Sequence, residues 1–298
     1  SMKHIHGVLI ACALFCTLTG TAPSQSRDTV VILHINDTHA NLLPSGPRAA
    51  DMSQTMGGIA RAFSYVGAQK QADPQTLFMH AGDMSIGDLF FNGYFSLIEL
   101  ELLSEANLDV MALGNHEFDL GSPVLLSILD TAQVPFPILC ANMSVLDPAV
   151  ARLATHVLPH TTLLSKGHKI GVFGLVTPEA NFISNPLPEV YLESDTALAR
   201  IILAEVQALK ADGCEAVILL SHLGRRGDKA VADNFPGKDL IIGAHDHYAE
   251  TAPLYVTNTA TNTRVPIVQA GAFYQHIGRV IRRTHGAACR MLQGKRME

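Results

Sequence analysis

The 298-residue chain has no tryptophan, and its six tyrosines and twelve phenylalanines make it only 6% aromatic. Proteins that track single-stranded nucleic acid stack bases on exposed rings, so a surface of that kind is not expected. Charge is scarce as well, at 16% against 48% hydrophobic residues. That balance excludes a disordered chain and leaves ample apolar volume for a folded core. Cysteine is sparse and makes no CxxC pair. Cys12 and Cys16 fall in the first segment, and Cys140, Cys214 and Cys289 are far apart, so thiolate is not the metal ligand here. Cys140 and Cys214 read as small buried hydrophobes on strands. Internal repeats and low-complexity segments are also lacking.

Long apolar runs are missing except for one. Lys3 precedes an almost unbroken apolar stretch from Val8 to Leu18, and Ala22-Pro23-Ser24 offers a small-x-small cleavage site. The stretch is short for a bilayer span. Residues 1–26 therefore read as a signal peptide with no stable membrane span, and the mature chain as secreted or periplasmic. Leu9-Ile10-Ala11-Cys12 provides the alternative, lipoprotein anchoring through Cys12.

The formal net charge of −6 is unevenly spread. Beyond Gly278 the chain carries Arg279, Arg282, Arg283, Arg290, Lys295 and Arg296 against Glu298 alone. The body is correspondingly acidic, which argues against a nucleic-acid partner and suits a site built from carboxylates that hold cations. The spacing predicts strands over Val30–Ile35, Thr76–Ala81, Val110–Leu113, Pro137–Cys140, Thr155–Leu164, Lys169–Val176, Ala216–Ser221, Leu240–Gly243 and Val265–Gln269. Helices are predicted over Ile59–Lys70, Tyr94–Ala106, Ser122–Ala132 and Asp195–Ala211. This order gives an α/β protein, with one mixed sheet or with two sheets face to face and helices outside. Residues 281–298 read as an atypical basic tail without pattern.

Polar residues of metal-binding type recur where these strands end, the place where open α/β sheets put their ligand sites. Asp37 and His39 follow the first strand, two apart, so that in an extended segment they face one side. Gly82-Asp83 follows the second. Gly114-Asn115-His116-Glu117 follows the third, with Asp119 three residues beyond His116. Later come His222 and the pair His245 and His247. A single Gly-Asp or His-x-His is weak. Five such pieces in order supply seven ligand-capable groups: Asp37, His39, Asp83, Asn115, His222, His245 and His247. One ion needs three or four, so seven suggest two ions sharing a carboxylate, roughly 3.5–4 Å apart. Mixed nitrogen and oxygen donors favour Zn, Mn, Co or Fe over Ca.

Asp37-x-His39, Gly82-Asp83, Gly114-Asn115-His116-Glu117, His222 and Gly243-x-His245-x-His247 resemble the five blocks of the calcineurin-like metallophosphatase superfamily. Leu33-His34-Ile35-Asn36-Asp37-Thr38-His39, Met56-Gly57-Gly58-Ile59-Ala60-Arg61 and Leu113-Gly114-Asn115-His116-Glu117-Phe118-Asp119 resemble its 5′-nucleotidase branch. The resemblance covers about residues 29–278. It implies a four-layer α/β/β/α sandwich, two mixed sheets flanked by helices, with residues 27–280 as the catalytic domain. It implies Asp37, His39 and His247 on one divalent cation, Asn115, His222 and His245 on the other, and Asp83 between them. His116 would stabilise the transition state or protonate the leaving group, oriented by Asp119. The implied activity is hydrolysis of a small-molecule phosphoester, a nucleoside monophosphate first. Phosphodiesterase action on cyclic nucleotides or UDP-sugars, and a truncated, non-catalytic metal-binding fragment, are the alternatives. Secreted 5′-nucleotidases continue into a second domain that stacks the base; no counterpart of it follows Gly271 in this sequence.

The remaining polar residues have plainer expectations. His34 and His80 read as satisfied core histidines. His156, His160, His168 and Asp246 read as solvated, Glu117 as a support for the ligands, and Arg225 and Arg226 as a solvated loop that could reach a phosphate.

Overall fold

The computed structural model describes residues 29–46, 55–283 and 289–296; the leader and Cys12 lie outside the described residues. The first strand, β1 (Thr29–Ile35), is buried from Val30 onward on both faces, which is why it reads as a continuous apolar run rather than an alternating one. In chain order follow β2 (Leu77–His80), β3 (Val110–Ala112), β4 (Ile138–Leu139), β5 (Met143–Val145), β6 (Val157–Leu158), β7 (His160–Ser165), β8 (His168–Val176) and β9 (Val190–Leu192). Then come β10 (Ala216–His222), β11 (Leu240–Ile242), β12 (Leu254–Thr257), β13 (Arg264–Val268), β14 (His276–Arg283) and β15 (Cys289–Arg296). Among the described residues they form a seven-stranded sheet ordered β15-β14-β1-β2-β3-β4-β6, a six-stranded sheet ordered β12-β13-β11-β10-β8-β7, and the small pair β5-β9.

Three apolar clusters show how the layers stack. Val30, Ile32, Met79 and Leu139 of the first sheet pack against Val172, Ile218, Leu220, Ile242 and Val268 of the second, so the sheets lie face to face. Leu33, Ile35, Phe78 and Met111 face outward onto Ala62 and Val66 of the helix Ile59–Ala72, Leu100 and Leu103 of Leu97–Glu105, and Leu125 and Leu129 of Ser122–Ala132. Phe173, Leu175, Val217 and Leu219 meet Ile202, Val206 and Leu209 of the helix Asp195–Ala211. The result is the four-layer α/β/β/α sandwich with two mixed sheets. Leu33 and Ile32 point opposite ways because side chains alternate along a strand.

Several sequence expectations are corrected. The helix expected over Tyr94–Ala106 is two, Leu89–Tyr94 and Leu97–Glu105, because Phe95 and Ser96 adopt left-handed φ values of 50° and 70°. Ser96 is buried there, its Oγ 2.9 Å from Ser85 Oγ. The strand expected over Thr155–Leu164 is a short helix, Leu153–His156, then β6 and β7 on either side of Pro159. Proline has no N–H for a ladder, and here the chain leaves the first sheet, where β6 pairs with β4, for the second, where β7 pairs with β8. The basic end is not patternless: β14 pairs with β1 and then with β15, both antiparallel. His156, His160 and His168 are not simply solvated; they pair with Asp130 at 2.7 Å, with Glu205, and with Glu215 at 2.8 Å. His34 is fully buried, but neither ring nitrogen finds a hydrogen-bond partner among the described residues. Cys140 is buried and Cys214 half-buried in the turn before β10, and both are free thiols. No described helix is long and apolar enough to cross a membrane.

Candidate metal centre

The ligand-capable residues all emerge at C-terminal strand ends. Asp37 and His39 follow β1, Asp83 follows β2, Asn115 and His116 follow β3, His222 ends β10, and His245 and His247 follow β11. Because β1, β2 and β3 run parallel, as do β10 and β11, each sheet presents its polar ends in one direction. Face-to-face packing of the sheets then brings the two sets together.

Two glycines make the convergence possible. A Cβ on Gly82 would lie 2.7 Å from Gly114 N, Leu113 O and His222 Nδ1, and one on Gly114 would overlap Asp83 Oδ1. No side chain fits at either position. The residues beside them are strained: Asp37, His39, Asp83, His245 and His247 hold positive φ values of 50°, 49°, 56°, 81° and 59°. The i, i+2 pairs therefore meet through curled loops, not through an extended segment as their spacing suggested. Such conformations cost about 1 kcal/mol or more each and persist only where neighbours hold them. The holding bonds run Asp37 N–H to Gly82 O at 2.9 Å, His39 N–H to Asp83 O at 3.1 Å, and His245 N–H to Asp37 Oδ2 at 3.0 Å. Asn36 adds a tie, donating to Gly271 O at 2.6 Å and accepting from Ala270 N–H at 2.8 Å.

The side chains close on a small volume. His222 Nε2 is 2.9 Å from Asp83 Oδ2 and 3.9 Å from Asp37 Oδ1. His39 Nε2 is 3.1 Å from His247 Nε2 and 3.8 Å from Asp83 Oδ2, and His247 Nε2 is 3.7 Å from Asp37 Oδ1. Asp37, His39 and His247 each place a ligand-capable atom within 4.8 Å of the others, and so do Asp83, His222 and His245. A third set, His39, Asp83 and His116, overlaps both. His39 Nδ1 faces the carbonyls of Ser85 and Ile86 at 3.1 and 2.9 Å, and His222 Nδ1 faces Ala81 O at 2.9 Å. A carbonyl only accepts, so each Nδ1 carries a proton, and Nε2 is the ring atom turned toward the other candidate ligands.

The donor set fits divalent cations on three observations. Asn115 Oδ1 is buried and makes no hydrogen bond among the described residues, a cost that a cation would remove. Two nearly inaccessible carboxylates, Asp37 and Asp83, stand close enough to repel. Burial, with Asp83 adding to it, pushes Asp37 up to about 7. Burial also raises Asp83, but His222, His116 and His39 reverse it and hold the carboxyl below the ordinary range. His222 is driven down by burial and then up to about 10 by Asp83 and Asp37.

His116 stands at the edge of this cluster. Its N–H donates to Asp83 Oδ1 at 3.0 Å, its ring centroid is 5.1 Å from that of His39, and its Nδ1 lies 2.6 Å from Asp119 Oδ2. The Asp119 hydrogen bond outweighs burial and pushes His116 up to about 9. The structure thus brings Asp37, His39, Asp83, His116, His222, His245 and His247 within reach of one another, with Asp119 on His116, while Asn115 precedes His116 in the chain and donates from Nδ2 to Ser184 Oγ at 3.3 Å.

The profile of the calcineurin-like phosphoesterase family matches residues 30–249. The chain belongs to this family. Within the calcineurin-like phosphoesterases it is similar to curated 5′-nucleotidases: it is 31% identical to that of Mus musculus over 271 residues, covering 86% of this chain and 46% of the relative. Among solved structures, the 5′-nucleotidase precursor from Thermus thermophilus aligns with a TM-score of 0.78 at 30% identity, covering 90% of this chain and 53% of that one. The NAD nucleotidase of Haemophilus influenzae aligns with a TM-score of 0.78 at 25% identity, over 89% and 55%. The chain therefore spans about half the length of the relatives it matches.

Glu117 is a support, as its sequence position suggested: its carboxylate accepts from the N–H groups of Met84 and Ser85 at 2.9 Å, Asp83 at 3.2 Å and Gly114 at 2.5 Å. Other supports were not legible beforehand. Asp246 is not merely solvated; its Oδ2 accepts from Arg225 N–H in the first turn of the helix Gly224–Asn234. Arg225 itself pairs with Glu250 at 3.2 Å and lies over the Tyr248 ring. The Phe273 ring flanks His39 and His247 at 5.7 and 5.4 Å between centroids, and nothing in its local sequence signals that.

Proposed function

We propose that residues 27–280 form the catalytic unit of a phosphoester hydrolase that works with two divalent cations and releases phosphate from nucleoside monophosphates. The observation that carries the reading is the close approach of six ligand-capable groups, Asp37, His39, Asp83, His222, His245 and His247, with the His116–Asp119 pair beside them. Asp37, His39 and His247 would hold one cation, Asn115, His222 and His245 the other, and Asp83 both. Cations held there would supply positive charge against phosphoryl oxygens and lower the pKa of a water. The chain's own residues do the rest. Buried Asp37 and Asp83 fix where positive charge collects, and the curled loops hold the imidazoles before substrate arrives, so little reorganisation is needed at reaction. His116, kept protonated by Asp119, sits where it can meet negative charge developing on the departing oxygen or give that oxygen its proton. The nitrogen and oxygen donors favour Zn, Mn, Co or Fe. The apolar leader supports export, which favours Zn or Mn.

The nucleotide preference rests on the similarity to 5′-nucleotidases. The likeness to the NAD nucleotidase supports a second reading, cleavage of a dinucleotide or diester at the same centre. A substrate panel on metal-loaded chain separates them: adenosine 5′-monophosphate, NAD, a cyclic nucleotide and a UDP-sugar. Phosphate release from the monophosphate, lost with chelator and restored by Mn²⁺, is expected. His116→Asn is expected to lower kcat by about 10²–10⁴ with cation content unchanged. Two cations bound per chain but no turnover on any of these esters overturns the enzymatic reading.

A further inference from the structure

Behind the candidate centre, an acidic side chain is buried where the pattern calls for an apolar one. Glu99 lies on the helix Leu97–Glu105 beside Leu100 and Leu103, all three fully buried. Its Oε1 accepts from Thr38 Oγ1 at 2.6 Å and from the Tyr274 hydroxyl at 2.5 Å, while Oε2 makes no hydrogen bond among the described residues. The chemistry of the groups fixes the direction of the chain of bonds. Gly82 N–H donates to His80 Nδ1 at 3.1 Å, so the His80 proton must sit on Nε2. From there it is donated to Thr38 Oγ1 at 3.0 Å. The Thr38 hydroxyl proton is then left for Glu99.

Each branch of this network ends beside a candidate ligand. Gly82 precedes Asp83. Thr38 separates Asp37 from His39. Tyr274 follows Phe273, whose ring lies against His39 and His247 and whose N–H donates to Asp37 O at 2.9 Å. Phe273 and Tyr274 both hold left-handed φ values, 58° and 55°, a conformation that needs something to hold it. The Tyr274–Glu99 bond is one such restraint, beside the Phe273 N–H bond to Asp37 O and the Gln275 N–H bond to Ala272 O at 3.0 Å. A carboxyl in this position costs desolvation that a leucine would not, so packing alone does not account for it.

We propose that Glu99 is a positioning residue: through Thr38 and Tyr274 it holds the Asp37–His39 loop and the Phe273 ring in the geometry that bound cations require. The inference rests on the two-cation reading of the site. Outer partners of metal ligands typically set affinity by 10–100-fold.

The test is calorimetric titration of the purified, metal-free chain with Mn²⁺, beside thermal melting in chelator and steady-state kinetics on p-nitrophenyl phosphate. Glu99→Leu is expected to weaken Mn²⁺ binding by roughly 10–100-fold and to lower kcat more than it raises KM, while the metal-free melting midpoint holds or rises. Glu99→Gln keeps an oxygen that accepts both hydroxyls and is expected to recover most of the affinity. Tyr274→Phe removes one hydroxyl with little change of shape, and serves if Glu99→Leu does not fold; about a tenfold weaker affinity is expected. Ser165→Ala, which deletes a bond to Gln75 O at 2.7 Å at the end of β2 opposite Asp83, is expected to lower the midpoint alone. Unchanged Mn²⁺ affinity in Tyr274→Phe and Glu99→Leu overturns the proposal, as does a loss of affinity that merely follows the loss of melting midpoint. If the parent chain binds no Mn²⁺, the two-cation reading and this inference fall together. If it binds Mn²⁺ but hydrolyses nothing, only the enzymatic reading falls.

Discussion

From the seven-stranded sheet, Asp37, His39, Asp83 and Asn115 reach the centre with at most 6% of their surface exposed. From the six-stranded sheet, His222 is equally buried, but the His247 side chain is 40% exposed. The supports differ in the same way. On the first side, Glu117 gathers four N–H groups, Asn36 ties β1 to the 270–271 turn, and backbone bonds lace the loops after β1 and β2 together. On the second side, Asp246 makes one bond to the turn after His222, and His247 rests on the rings of His39 and Phe273. A braced, dry cradle thus faces a half-open rim. Charges interact more strongly where water is excluded, so the cradle is where cation affinity should concentrate and the rim is where ligands exchange.

The sharpest way to break this comparison is Asp83→Ala. Asp83 lies in the cradle and within reach of both imidazole sets, so its loss should empty both positions. Elemental analysis of the purified variant should find less than one cation per chain, with turnover reduced by well over a hundredfold, beyond the range of outer-shell losses. Retention of two cations would remove Asp83 from its shared role.

Next in size is Glu117→Ala, which tests whether the cradle is built by its supports. The substitution strands four N–H groups that the carboxylate now satisfies. Buried donors left without partners cost about 1–3 kcal/mol each, moderated where water enters. A loss of about 3 kcal/mol in denaturant unfolding is expected on that basis, with cation affinity falling in step. A change below about 1 kcal/mol, the lower end for a single stranded donor, would show that the turn holds without it.

These supports mark where sequence reading stops. The candidate ligands drew notice because the signal is local: a glycine, a polar residue and a strand end occur together at Gly82-Asp83 and Gly114-Asn115. The layers were legible because β1, β8 and β10 are long and apolar. Glu117 stood next to His116 and drew notice only by that adjacency. Phe273 and Tyr274 act through rings and a hydroxyl that meet residues more than 170 positions away, which no local pattern encodes. Glu99 did leave a signal, a carboxylate on a helix face that otherwise buries leucine, but its partners appear only once the loops converge. The short strands β5, β9 and β12 carry too few residues for a period to show.

On the rim, His247→Ala should act on one cation only. With the side chain partly in water, a replacement water can enter the coordination shell, so the expected loss is about tenfold in the weaker Mn²⁺ step, with the tighter step unchanged. Calorimetry that resolves two steps would show it; equal weakening of both would mean that His247 belongs to the cradle.

The smallest effect is expected at Asp246. The helix Gly224–Asn234 begins without a side-chain cap of its own, and Asp246 supplies the missing oxygen from the neighbouring loop. Loss of an N-cap acceptor typically costs about 1 kcal/mol, which for a domain of this size is about 2–4 °C in melting midpoint. Asp246→Ala should show that shift with Mn²⁺ binding nearly intact, because the candidate ligands His245 and His222 keep their own bonds to Asp37 and Ala81. If Mn²⁺ affinity instead falls as far as in His247→Ala, the cap is holding the two histidine loops in register, and the rim is braced as firmly as the cradle.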